Sequence, residues 1–263
     1  MNLSDAAFGP DPGRWPLPAA ATPEELWLRA VAAGGQGHYG VALADLAALV
    51  RSRPAGRLLS LAHSTRASFW RQLGWHSRAR GWDGLAAALA GADPEAGADA
   101  LIGLAADALG VGRFAAAARA LARAGELVGD SGRLPVRLAW VSAELAMASG
   151  KGAAAVPHAE RAVAAASAFA SVRHRIKSQV VLAAALCSAG DLTAARHTAD
   201  AALDATEAHG MIPLRWALAC LLADIGSTAR SPAEITAVRD QSADTVRSRG
   251  GVWAVAVDDD KPS

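Results

Sequence analysis

The feature that most constrains the fold is an internal period of glycine and alanine. In five places a glycine is followed five residues later by an alanine, and a sixth glycine lacks its alanine. The pairs are Gly37/Ala42, Gly74/Ala79, Gly112/Ala117, Gly150/Ala155 and Gly190/Ala195, and the sixth glycine is Gly226. Glycine accepts the left-handed backbone that ends one helix, and a small alanine lets the next helix pack closely against it. Because one helix pair cannot bury its apolar face alone, the period predicts stacked helix pairs.

Composition supports helices throughout. Hydrophobic residues make up 52% of the 263 residues but aromatic residues only 5%, so alanine, leucine and valine must build most of the core. Alanine and leucine have high helix propensity, and runs of β-branched residues typical of strands are nearly absent. The sequence therefore predicts an all-α protein.

Prolines, glycines and helix-capping residues divide the chain into three parts. Residues 1–21 carry four prolines and are expected to form a flexible leader. Residues 22–249 hold the periodic helices, and residues 250–263 form a tail. Helix starts are predicted where a capping residue precedes a proline: at Thr22-Pro23, with Glu25 completing a capping box, at Asp93-Pro94, and at Ser231-Pro232, with Glu234 completing a second box.

The tail has two interpretations. Val252 to Val257 is the chain's strand-like run, and Asp258, Asp259 and Asp260 follow it. One interpretation is a frayed end. The other is that Trp253 docks on the last helix pair or in the protein's own groove, which would bring the aspartates near the arginines of residues 51–80.

The periodic segments resemble tetratricopeptide repeats (TPR) of slightly lengthened period, over residues 22–249. The first repeat has Gly37, Tyr39, Ala42, Leu46 and Pro54 at the family's spacing, and the third has Leu101, Leu104, Ala105, Ala108, Gly112, Phe114, Ala117, Leu121 and Ala124. The resemblance implies a right-handed α-solenoid of about six antiparallel helix pairs. The lengthened period leaves a related α-solenoid open as an alternative.

The resemblance also implies a function. In TPR proteins the first helix of each pair lines a concave groove that binds extended peptides, so we expect a non-catalytic scaffold or adaptor that binds a protein or peptide. The groove positions carried over from the family include Trp27, Ser64, Arg71, Gln72, Arg137, Trp140, Glu144, Lys177 and Trp216. The three tryptophans would form an aromatic line along the groove or else belong to the core between helices. Arg71, Arg137 and Lys177 would select an acidic segment of the partner.

A second hypothesis comes from the segment between Asp45 and Asp83. It contains seven arginines and no acidic residue, and tryptophans are interleaved with them. His63, Arg66 and Arg71 form a candidate site for a small anionic molecule near repeats one to three, which would make the protein a regulatory ligand sensor. The alternative for Arg66 is an ion pair with Asp45 or Asp83, since an unpaired buried charge is costly.

Other classes lack sequence support. Nucleophile-elbow, zinc-protease, P-loop and dinucleotide-binding motifs are absent, so no catalytic residue, cofactor or metal site is predicted. The formal charge of +1 and the scarcity of lysine argue against nucleic acid as a partner, and the apolar stretches are too short to indicate a membrane span. Two cysteines, Cys187 and Cys220, give no disulfide framework, which favours the cytoplasm. Nothing in the sequence indicates an oligomeric state.

Overall fold

A computed structural model of the protein describes residues 2–254. It folds them into thirteen α-helices without a β-strand, which confirms the all-α prediction. The helices are α1 (Leu3–Phe8), α2 (Pro23–Gly35), α3 (Tyr39–Arg51), α4 (Gly56–Gln72), α5 (His76–Leu89), α6 (Pro94–Gly110), α7 (Phe114–Gly125), α8 (Arg133–Ala148), α9 (Gly152–Ala168), α10 (Val172–Ser188), α11 (Leu192–Ala208), α12 (Ile212–Ile225) and α13 (Pro232–Ser248).

The periodic glycines form the turns that the sequence predicts. All six have φ between +71° and +90°, the left-handed region that favours glycine. At the first turn the amide of His38 donates to the carbonyl of Ala33 at 2.9 Å, and at the second the amide of Trp75 donates to Trp70 at 2.9 Å. This bond satisfies a carbonyl that the helix end would otherwise leave unpaired. The five paired alanines have no exposed surface, so their small size does permit close helix contact.

The predicted helix starts are also present. The Thr22 hydroxyl accepts from the amide of Glu25 at 3.2 Å, and the Glu25 carboxylate accepts from the amide of Thr22 at 2.9 Å. Ser231 and Glu234 make the same reciprocal pair at the start of α13. Asp93 caps α6 through the amide of Ala96 at 2.8 Å. Each of these caps satisfies backbone donors that have no partner within the helix.

The even-numbered helices α2, α4, α6, α8, α10 and α12 contact one another in chain order, and we call them the inner row. Each odd-numbered helix from α3 onward packs against the inner-row helices next to it in sequence. Helix α1 contacts both α2 and α10, which lie far apart along the inner row. The inner row therefore curves around α1.

The first and last parts of this helical array touch. The amide of Gly40 donates to the carbonyl of Arg249 at 2.9 Å, and the Arg249 guanidinium donates to the carbonyl of Gln36 at 2.7 Å. These bonds join the end of α2 and the start of α3 to the end of α13.

The tail continues this contact as far as the structure describes it. The amide of Ala254 donates to the carbonyl of Leu73 at 2.7 Å, and the indole of Trp75 donates to the carbonyl of Val252 at 2.7 Å. The ring of Trp253 lies 4.3 Å from that of Trp216 on α12. Up to Ala254 the tail thus lies between the turn that joins α4 to α5 and the last helix pair, while Asp258, Asp259 and Asp260 lie outside the described residues.

The N-terminal segment differs from the flexible leader that its prolines suggest. Asn2 caps α1, and Leu3, Ala6 and Ala7 are buried. Beyond α1, the Gln36 side chain donates to the carbonyls of Pro12 and Arg14, both at 2.9 Å. A six-residue helix has too few internal hydrogen bonds to be stable alone, so contacts with the inner row must hold this segment in place.

Candidate functional site

Phe8, at the end of α1, enters an aromatic and cationic pocket on the inner row. Its ring centroid lies 5.4 Å from that of Trp27 and 6.1 Å from that of His174. The guanidinium carbons of Arg133 and Arg173 lie 6.0 Å and 5.9 Å from the same ring. We call Trp27, Arg133, Arg173 and His174 the Phe8 pocket. Because its walls come from α2, α8 and α10, the curvature of the inner row creates it.

Two of the tryptophans expected in the groove are fixed between helices. The indole N–H of Trp27 donates to the Thr65 hydroxyl at 2.9 Å, and that of Trp140 donates to the Ser178 hydroxyl at 2.9 Å. Only 5% of Trp27 and 7% of Trp140 is exposed. An exposed aromatic line through these residues is therefore wrong, and the alternative of core between helices describes them. Trp27 still presents one side of its ring to Phe8.

Trp216 lies elsewhere, in an open cleft of about 380 Å³ beside the tail. The cleft brings together three of the predicted groove residues, Trp216, Arg71 and Gln72, and adds Arg247 and Trp253. Gln72 is held in place because its side-chain oxygen accepts from the Tyr39 hydroxyl at 3.1 Å.

Arg71 is already neutralised by the protein's own acidic residues. Its guanidinium donates to Asp83 and, at 2.9 Å, to Asp107, and both carboxylates are fully buried. Only 11% of the Arg71 side chain is exposed. The expectation that Arg71 selects an acidic partner needs correction, since removing it from these partners would strand two buried carboxylates.

These two carboxylates share one cation and perturb each other. Burial, reinforced by the charge of Asp107 and opposed by Arg71, raises the pKa of Asp83 to about 7. Burial also raises the pKa of Asp107. Gly103 leaves the space for Asp83, since a Cβ atom there would lie 2.3 Å from its carboxylate.

A second ion cluster borders the Phe8 pocket. Asp99 forms ion pairs with Arg133 and with Arg137, each with an N···O distance of 3.0 Å, and Glu95 pairs with Arg133 at 3.2 Å. Burial alone would raise the pKa of Asp99, but the two guanidinium groups hold it below its ordinary value. Arg137, a predicted groove cation, thus shares with Arg133 the one carboxylate that pairs with it in the described part of the chain.

Two further cations have no carboxylate within 4 Å in residues 2–254. Arg173 donates to the carbonyl of Val31 at 3.5 Å, and the Lys177 ammonium lies 4.5 Å above the ring of Trp140. Burial and the nearby arginines lower the pKa of Arg173 to about 10. Burial also lowers the pKa of Lys177, although Glu144 opposes this from beyond ion-pair distance.

His174 completes the inner surface of the Phe8 pocket. Its ring stacks on Trp140 at 5.3 Å, and its Nδ1 lies 2.8 Å from the Ser171 hydroxyl. Burial and then the charge of Arg173 bring the pKa of His174 well below its ordinary value, so the ring is neutral at pH 7.

The three residues of the candidate anion site, His63, Arg66 and Arg71, do not face one common site. His63 stacks on Trp82 at 5.4 Å, and the Arg66 guanidinium lies 3.9 Å from the same ring. Arg71 instead faces Asp83 and Asp107. The two carboxylates expected to pair with Arg66 pair with other arginines: Asp45 with Arg29 at 2.5 Å, and Asp83 with Arg71. The ion-pair prediction for Arg66 is therefore wrong. Ser64, also expected in the groove, is buried.

Sequence reasoning missed Phe8, Arg133, Arg173 and His174. A signal for two of them is present, because Arg133 and Arg137 recur 40 residues later as Arg173 and Lys177. Gly150 and Gly190 have the same separation, so the two cation pairs lie at equivalent distances from the glycine that follows α8 and the glycine that follows α10. Phe8 gives no comparable signal, because it lies outside the period.

The described helices and this face define an all-helical protein with an aromatic and cationic inner surface. No three His, Cys, Asp or Glu side chains in residues 2–254 lie close enough to hold a metal ion together. Over the same residues, no helix combines the length and apolar character needed to cross a bilayer. No protein-family model matches the chain, and no curated protein matches its sequence.

Proposed function

We propose that this protein is a TPR-like, right-handed α-solenoid of about six helix pairs that binds a short segment of a partner protein. In this proposal it is a non-catalytic adaptor in the cytoplasm, and the inner row is its binding face. Support for the repeat architecture comes from the left-handed glycines, the buried alanines and the ordered contacts along the inner row.

The observation that carries the binding function is the position of α1. A short helix with one aromatic side chain lies against α2 and α10, and Phe8 fills a pocket made by three inner-row helices. Binding a short amphipathic helix in an apolar groove is a common mode of peptide recognition. We infer that α1 occupies the binding face in cis and that a partner segment with an aromatic anchor replaces it.

Competition between the two segments follows from this arrangement. A tethered segment has a high effective concentration at its own site, commonly in the millimolar range. Wild-type protein should therefore bind a free copy of the segment poorly. Weakening α1 should expose the pocket and strengthen binding of the free copy.

The test uses the full chain with Leu3→Ser and Phe8→Ala, which remove a buried leucine side chain and the aromatic ring in the pocket. A fluorescent peptide of residues 2–12 should bind this variant at least about tenfold more tightly than wild type. Fluorescence anisotropy measures both affinities. A peptide with Phe8→Ala serves as the control ligand, and the exposed-site variant Ser4→Ala serves as the control protein.

Equal affinity of the double variant and wild type for the peptide would overturn the assignment of α1 as a ligand in cis. Equal binding of the native and Phe8→Ala peptides would overturn the aromatic anchor. The Ser4→Ala protein should behave as wild type, because Ser4 is exposed on α1.

A further inference from the structure

The cations beside the Phe8 pocket exceed the carboxylates that reach them. Arg133, Arg137, Arg173 and Lys177 lie on adjacent helices, α8 and α10, and influence one another electrostatically. Asp99 is shared by two of them, while Arg173 and Lys177 have no carboxylate within 4 Å in the described chain. Partly buried cations without a counter-charge are costly, and an anion that reached them would recover that cost.

Helix α1 fills the apolar part of this face without supplying that anion. Its acidic residue, Asp5, is not among the ion-pair partners of the four cations in the described chain. Phe8 offers the arginines only the face of its ring, at about 6 Å, which is a weaker interaction than a charged hydrogen bond. Helix α1 therefore fills the pocket but leaves the cations beside it without a carboxylate from the bound segment.

Arg137 and Lys177 are placed to extend the Phe8 pocket along α8 and α10. Lys177 follows Arg173 by four residues on α10, and Arg137 follows Arg133 by four residues on α8. Four residues of helix span about 6 Å, so Arg137 and Lys177 lie about one turn beyond the two arginines at the Phe8 ring. Arg137 keeps 20% of its side chain exposed, so its guanidinium is not fully enclosed by the protein.

We propose that the partner segment carries an aspartate or glutamate about one helical turn from its aromatic anchor, and that Arg137, Arg173 and Lys177 bind this carboxylate. The proposal rests on the proposed function, because it assumes that a partner replaces α1. It also explains how replacement occurs: the partner adds charged hydrogen bonds that α1 lacks. The acidic preference then comes from α8 and α10, and Arg71 has no part in it.

The experiment uses the full-length Leu3→Ser/Phe8→Ala protein and peptides based on residues 2–12. In every peptide Asp5 and Asp11 are replaced by asparagine, and one glutamate or one glutamine is placed at successive positions on either side of Phe8. At one or more positions, the glutamate peptide should bind about tenfold more tightly than its glutamine counterpart. The difference should shrink as salt concentration rises.

A matched pair of lysine variants locates the effect. Lys177→Gln, added to the same protein, should remove most of the preference for glutamate while leaving the glutamine peptides bound. Lys151→Gln changes an exposed lysine at the start of α9 and should keep the preference.

The outcomes separate the two proposals. If the peptides bind but no glutamate improves affinity by more than about twofold, the acidic subsite is wrong and the proposed function stands. A preference that survives Lys177→Gln would also overturn the subsite. If neither the glutamate nor the glutamine peptides bind, the proposed function itself fails.

Discussion

The indole N–H of Trp140 donates to the hydroxyl of Ser178 at 2.9 Å, across the contact between α8 and α10. Trp27 bonds to Thr65 in the same way, across the contact between α2 and α4 and over the same 38-residue separation. These hydrogen bonds tie successive members of the inner row to each other, and they withdraw the indoles from solvent.

Trp140→Phe should lower the free energy of unfolding by about 1–2 kcal/mol, because it leaves the Ser178 hydroxyl without its donor. Urea denaturation measures the loss. Ser178→Ala should cost a similar amount, and the double variant should cost clearly less than the two losses added together. Strict additivity would show that the two side chains do not interact.

Arg71→Met should destabilise the protein by about 3–5 kcal/mol, because it leaves Asp83 and Asp107 buried without their cation. Thermal or urea unfolding measures the change. Arg80→Met is the matched control, since Arg80 is exposed, and its effect should stay within about 0.5 kcal/mol. A stable Arg71→Met protein would mean that Arg71 is free to contact a partner after all.

Asp83 should make stability depend on pH. Its pKa in the folded protein is about 7, above the value of about 3.9 for an unfolded chain, so the folded state binds more protons between these values. The stability that protonated Asp83 contributes is complete below pH 4 and is lost as the pH rises through 7.

The measurement is the free energy of unfolding of wild type minus that of Asp83→Asn, since asparagine imitates the protonated side chain. This difference should fall by roughly 2.5 kcal/mol between pH 5 and pH 8, because each pH unit between the two pKa values is worth about 1.4 kcal/mol. Parallel pH profiles for the two proteins would contradict the raised pKa.

Trp253→Ala should loosen the tail from the rest of the protein, because the Trp253 ring packs on Trp216. The amide of Ala254, which donates to Leu73, should then exchange its hydrogen at least about tenfold faster. Hydrogen exchange followed by mass spectrometry reports this. Val252→Ser is the control, because 61% of Val252 is exposed, and it should leave the exchange rate unchanged.

Local features of this fold could be predicted from the sequence. The turn at Gly74 and the capping box of Thr22 and Glu25 depend on residues within one or two helical turns, so residues adjacent in sequence suffice to identify them. The all-α class follows from the same local preferences summed along the chain.

Features that depend on distant residues could not be predicted in this way. The position of α1 depends on Trp27 and on His174, and a six-residue helix carries too little periodicity to indicate its neighbours. The predicted ion pair of Arg66 is wrong for a different reason. Asp83 is the acid nearest to Arg66 in sequence on the C-terminal side, but Asp83 pairs with Arg71, and Arg66 lies against Trp82. Separation in sequence does not determine which cation reaches a buried carboxylate.

The contact between Arg249 and Gly40 bears on how such a protein evolves. An array with free ends tolerates duplication or loss of a unit, because each unit touches only its neighbours. Here an added or deleted unit of about 38 residues would move the last helix away from the first turn and break the bonds to Gly40 and Gln36. This contact therefore constrains the number of helices, and the chain should change by substitution more readily than by gain or loss of whole helix pairs.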